Sequence, residues 1–197
     1  MTGLEDDLAY LRDMAREDRA PVVRTGWVMV AVGLVFGAAA LRAWAYQRSW
    51  LPPWFGFLPP LDAVFVFLSS VTVIGWRWPQ APATVRSRAL GAALNSIGLS
   101  VVVTAAALGA AGRALEDPNL IQGFPAMLFI LYGAGWWVAF SVTRRRWTMV
   151  VFSASIGFSM ICASLAGSPE MWLALAVGLV LSVAVPGWLF ARAERAG

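Results

Sequence analysis

Few side chains in this apolar chain are able to do chemistry, and their spacing decides what each can do. Asn95, Ser96, Ser100 and Thr104 form the most polar stretch within any hydrophobic run. Ser96, Ser100 and Thr104 fall at i, i+4 and i+8, one face of a helix, and Ala92 extends that face. Two readings stay open. Small and hydroxylated residues let helices approach closely and hydrogen-bond across the contact. Alternatively the face lines a polar pocket or path, with Asn95 as its most demanding member, because a buried amide needs several partners. Ser155, Ser159 and Ala163 make a second small face, and the two faces are candidates to meet. Asp62 follows Pro59 and Pro60, and Glu170 follows Pro169. A carboxylate so placed caps the exposed N–H groups of a helix start and suits its dipole. For Asp62 an outward-facing site is the other reading. Cys162 lies in an apolar run with no basic neighbour to favour its thiolate.

What is missing narrows the function further. The sequence has no histidine. That removes the commonest general base, haem ligation by histidine and most zinc sites. No acid or arginine sits in the middle of an apolar segment, whereas pumps and ion-coupled transporters normally keep ionisable groups there. No nucleophile–base pair is recognisable. The expectation is a non-catalytic protein with no metal and no cofactor.

The elements that carry these residues follow from hydropathy and charge. Of 197 residues, 59% are hydrophobic and 13% charged, far from the quarter charged of a soluble domain. Six apolar segments span roughly 25–45, 61–77, 89–111, 124–143, 147–166 and 170–190. Twelve of the fifteen arginines flank one side of them, and only Arg42, Arg48 and Arg113 fall on the other. With the acids included, the two sides carry +5 and −1, which sum to the net +4. By the positive-inside rule this predicts an all-α polytopic bundle of six transmembrane helices with both termini cytoplasmic. The positive charge then belongs to topology and to anionic headgroups, and direct nucleic-acid binding is not expected. Trp27, Trp76, Trp78, Trp147 and Trp188 mark the cytoplasmic boundary, and Trp44, Trp50, Trp54 and Trp172 the outer one. Trp136 and Trp137 lie about two turns inside and are candidates to pack between helices.

Domain boundaries are expected at 1–21, 22–192 and 193–197: a cytoplasmic amphipathic helix, the transmembrane domain and a short tail. Thr2 and Glu5 form a capping box. Leu4, Leu8, Leu11 and Ala15 make one apolar stripe, and Pro21 ends the segment. Glu5, Asp6 and Asp7 load its first turn, and six acids against three arginines leave it at −3. Surface-lying membrane helices are usually basic, so this one is expected to pack on protein. Arg144, Arg145 and Arg146 are a topological anchor or the docking site of that acidic segment; equally, the segment engages a separate cytoplasmic regulator. Spans four to six are joined by about three residues each, Arg144–Arg146 and Gly167–Pro169, which forces antiparallel neighbours. Gly33 and Gly37 permit close crossing within the chain or an oligomer contact. Pro186-Gly187 predicts a kink late in the last span. A match of Trp27 and Ala31–Val35 to Trp172 and Ala176–Val180 reads as apolar low complexity.

Two resemblances arise. Ser49-Trp50-Leu51-Pro52-Pro53-Trp54 resembles the W-x-P-P turn of the tryptophan-rich sensory/translocator family, over about ten residues. That family has five spans, and its other motifs are not found here. The opening Leu4–Arg12, Leu131-Tyr132-Gly133 and Val185-Pro186-Gly187 resemble a group of uncharacterised small proteobacterial six-span inner-membrane proteins. That second resemblance implies a bacterial inner-membrane protein, with a transcription regulator as a partner it suggests. The expected function is regulation or scaffolding through the acidic N-terminal helix. The alternative is a carrier or permease component for a neutral or lipophilic molecule, resting on Asn95, the Ser96/Ser100/Thr104 face and the Pro186 kink.

Overall fold

The structure, a computed structural model, describes residues 20–52, 59–77 and 85–193. The helix expected before Ala20, with Leu4, Asp6, Asp7, Leu8 and Leu11, lies outside these residues, as do 53–58 and the tail 194–197. All regular structure among the described residues is helical. The first helices are α1 (Ala20–Gln47), α2 (Pro59–Arg77) and α3 (Val85–Ala114). A 3-10 turn (Pro118–Gly123) leads into α4 (Phe124–Thr143), followed by α5 (Arg146–Ser164). The last rod is α6 (Glu170–Leu179), a π-helical turn (Val180–Ala184) and α7 (Val185–Ala193). Among the described residues, five stretches are long and apolar enough to cross a membrane: Thr25–Gln47, Gly91–Ala114, Asn119–Thr143, Arg146–Ser164 and Glu170–Arg192. The chain is a membrane-embedded helical protein. α1 begins at Ala20 with Pro21 in its first turn, where no N–H is required. The boundary expected at 21/22 therefore falls just inside α1.

Close packing is set by small residues. Lipid tails are as apolar as leucine, so burial from water does not drive these helices together; backbone approach and hydrogen bonds do. α1 runs antiparallel to the last rod along its whole length. A Cβ on Gly26 would stand 2.6 Å from the Gly187 carbonyl oxygen, and one on Gly187 would stand 2.7 Å from that of Gly26. A Cβ on Gly33 would stand 2.6 Å from the Ala184 nitrogen. Gly37 makes ordinary contact with Ala176 and Val180. Of the two uses open to Gly33 and Gly37, the crossing within the chain is the one seen, and the rod covers the surface that an oligomer contact would need.

α4 and α5 form the second tight pair. Gly133 faces Ile156 and Ser155, and Ser159 Oγ donates to the Ala126 carbonyl at 2.9 Å. Ser155, fully buried, donates to Val151 on its own helix. The Ser155/Ser159 face thus meets α4. Arg144 closes α4 in the left-handed conformation (φ 54°), its N–H bonded to the Phe140 carbonyl at 2.7 Å. Two flanking helices complete the bundle. α2 packs on α1, with Phe36 tilted against Phe67 at 5.5 Å. α3 leans on α4, where Gly135 makes room for Ile97.

Where the rod meets α4, the predicted irregularity at Pro186 has a structural consequence. Proline has no N–H, so the carbonyl one turn earlier, that of Ser182, loses its α-helical donor. The Trp136 indole N–H donates to it at 2.9 Å, across 46 residues of chain. Trp136 is only 3% exposed. It stacks on Phe190 (5.9 Å, 8° between planes) and meets Trp147 at 5.8 Å. Trp147 in turn stands edge-on to Phe190 at 4.9 Å. The Ser182 to Pro186 region stays helical by widening: the Val185 N–H bonds the Val180 carbonyl, a five-residue step.

Three outcomes test this packing. Gly33→Val should lower the melting temperature in detergent, by the equivalent of roughly 1–3 kcal/mol of overpacking. Gly157→Ala, where a Cβ meets nothing within 4 Å, should be neutral or slightly stabilising. Trp136→Phe keeps a ring but leaves the Ser182 carbonyl without its donor. It should cost about 1–3 kcal/mol, read as a melting-temperature drop larger than that of Trp137→Phe.

Candidate functional site

Three places gather polar side chains, and the helix framework treats them differently. On α3, Ser96 is exposed and donates to the Ala93 carbonyl of its own helix at 2.8 Å. Ser100 and Thr104 are half-buried. The Asn95 side chain lies outside the described residues. The α3 contact with α4 is made by Ile97, whose Cδ1 would lie 2.3 Å from a Cβ at Gly135. Val101 packs on the central cluster. The two small-residue faces are therefore not brought together: Ser155 and Ser159 are used by α4.

The second place is the link between α4 and α5. Arg144, Arg145 and Arg146 are all exposed. The left-handed Arg144 and the extended Arg145 (φ −80°, ψ 119°) hold the three guanidinium stems on one tight turn. Thr148 Oγ donates to the Arg145 carbonyl at 2.6 Å and fixes the start of α5. The result is a compact basic patch at the end of the bundle shared with Trp27, Trp188 and Arg192. Arg192 lies 5.1 Å over the Trp188 ring, so its charge leans on an aromatic face.

The third place is the opposite end, and sequence reasoning missed its main feature. Asp62 was read as a cap, and its Oδ1 does accept from the Ala63 N–H at 2.8 Å. Its principal partner, however, is Arg42 of α1. Arg42 Nη1 donates to Asp62 Oδ2, and Nη2 donates to Oδ1 at 2.9 Å, a two-pronged fork. Glu170, also read as a cap, accepts from Arg48. The second pair ties the start of α6 to the end of α1. Two of the three arginines on the minority side are thus held in ion pairs by two of the four acids there. The signal was present in the sequence as opposite charges assigned to one boundary, but nothing in it matched a particular arginine to a particular acid.

Below the Arg42–Asp62 pair a groove of about 380 Å³ opens between α1 and α2. Leu34, Val35, Ala38 and Ala39 of α1 form one wall, and Ala63 and Val66 of α2 the other. The alanines keep the helices from filling it. The site is a polar lock over an apolar slot. Among the described residues no three metal-ligating side chains come together. No family model, curated protein or solved structure matches the chain, so its residues and geometry carry the functional argument.

The lock makes one prediction. Arg42→Asp and Asp62→Arg should each lower the melting temperature, and the double exchange should recover most of the loss. Simple additivity of the two single changes would show that the pair does not hold α2 to α1.

Proposed function

We propose that this protein is a non-catalytic multi-pass protein of a bacterial inner membrane, and that it regulates or scaffolds a cytoplasmic partner. In this reading all six apolar segments span. α2 joins the five long helices because its 19 residues rise about 28 Å at ~1.5 Å each, close to the ~30 Å hydrocarbon core. Both termini then face the cytoplasm. The count of arginines by side supports that orientation, twelve with Arg144 against three with Arg42.

The observation that carries the functional reading is the exposed basic turn Arg144–Arg146. It sits on the side assigned to the acidic N-terminal segment, which carries Asp6 and Asp7 and a net −3. Opposite charges confined to one face can set an equilibrium: the segment rests on the turn, or leaves it for a basic partner. The stripe of Leu4, Leu8 and Leu11 would supply the apolar part of either contact. A carrier for a neutral or lipophilic molecule is the second reading, favoured by the slot between α1 and α2.

Affinity capture from the native membrane separates the two. Chains lacking residues 1–20 should lose a protein that the full chain retains. Arg144→Gln/Arg145→Gln/Arg146→Gln should instead retain more of it, because the segment is released. A partner retained equally by all three chains, or no specific protein at all, overturns the regulatory reading. A co-purifying small molecule would then move the weight to the carrier.

A further inference from the structure

We propose that the slot between α1 and α2 is a binding site for one zwitterionic glycerophospholipid, with the Arg42–Asp62 pair as the receptor for its head. The inference goes beyond the regulatory role and rests on the reading that this end of the bundle lies at headgroup level. Arg42 and Asp62 stand at the mouth of the slot with side chains 25% and 40% exposed, so both charges are accessible to a ligand. From Leu34 to Arg42 the α1 wall runs eight residues, about 12 Å by the helical rise. That is a path for the upper part of an acyl chain leading away from the pair. The volume, about 380 Å³, is within the range of small-ligand sites.

Head selection follows from charge. The site offers one guanidinium and one carboxylate side by side, so it is neutral as a unit. A purely anionic head would gain Arg42 and be repelled by Asp62; a cationic head would meet the reverse. A head with a phosphate and a primary ammonium matches both. The phosphate accepts from further N–H donors of the Arg42 guanidinium, which carries five against the two that Asp62 takes, and the ammonium donates to the Asp62 carboxylate, which accepts more than one donor at each oxygen. Ala38, Ala39 and Ala63 are what keep the slot open, because a longer side chain at any of them would occupy it.

Native mass spectrometry of the full-length protein in a non-ionic detergent tests this. The probes are phosphatidylethanolamine and phosphatidylglycerol of identical acyl chains, offered in equal amounts. Wild type should retain phosphatidylethanolamine with a preference of roughly fivefold, the size that two half-exposed charge contacts supply. Ala38→Phe, one turn from Arg42, fills the slot and should abolish the preference. Asp62→Asn removes the ammonium's partner together with the charge that Arg42 is paired to, and should invert the preference toward phosphatidylglycerol. Melting temperatures taken alongside confirm that each variant is folded. Equal retention of the two lipids by wild type, or an unchanged preference in Asp62→Asn, overturns the proposal. Labelling of introduced cysteines from the two membrane sides tests the headgroup placement separately, so a wrong topology and a wrong ligand give different results.

Discussion

A carbonyl that cannot be left alone organises the centre of this protein. Pro186 takes away the donor that the Ser182 carbonyl would have in a regular helix, and no water is available inside a bilayer to replace it. The Trp136 indole does so from α4. That bond ties the last rod to a helix that otherwise shares little backbone contact with it. Around it Trp136, Trp147 and Phe190 close into one aromatic cluster. On the far side of the rod, the small residues Ala184 and Gly187 are left facing α1. The rod is thus held on one side by a hydrogen bond and rings, and on the other by backbone contact. These two modes replace the water-driven burial that a soluble core would use.

The charged residues follow a matching division of labour. At one end arginines are engaged: Arg42 with Asp62 and Arg48 with Glu170. Both pairs lie at the rim of the bundle, where α1 meets a helix start. At the other end the turn Arg144–Arg146 is exposed. Counting arginines by side treats all of them alike. The ion pairs set Arg42 and Arg48, which brace helices, apart from the exposed Arg144–Arg146 turn, which is available to solvent, lipid or a partner.

Hydropathy and turn residues made most of the framework legible. α4 occupies 124–143 as expected, and α5 begins at Arg146, one residue from the expected start. Those boundaries were readable because the arginine run and the Gly167–Pro169 link punctuate apolar runs locally. An irregularity near Pro186 was legible for the same reason, but its form was not: a π turn over Val180–Ala184, with the Trp136 indole bonded to the Ser182 carbonyl from another helix. Pairing was the harder problem throughout. Gly26, Gly33 and Gly187 are three of 18 glycines, and only the crossing distinguishes them from Gly157, which touches nothing. Asp62 and Glu170 satisfied the pattern for helix caps so well that their arginine partners, 20 and 122 residues away, left no local trace. The α3 face went the other way. Its hydroxyl spacing is regular, yet Ile97 makes the contact and Ser96 is left exposed.

The glycine crossing of α1 with the last rod also has a history during synthesis. Gly187 is made about 160 residues after Gly26. At ~5–20 residues per second, roughly 8–30 seconds separate them. Until the rod is made, the glycine face of α1 lacks the backbone it packs on. The Arg42–Asp62 fork, complete as soon as α2 is inserted, gives the young hairpin a fixed register while that face waits. The rod then closes on a surface made long before it, so this crossing can form only after the helices between have been synthesised.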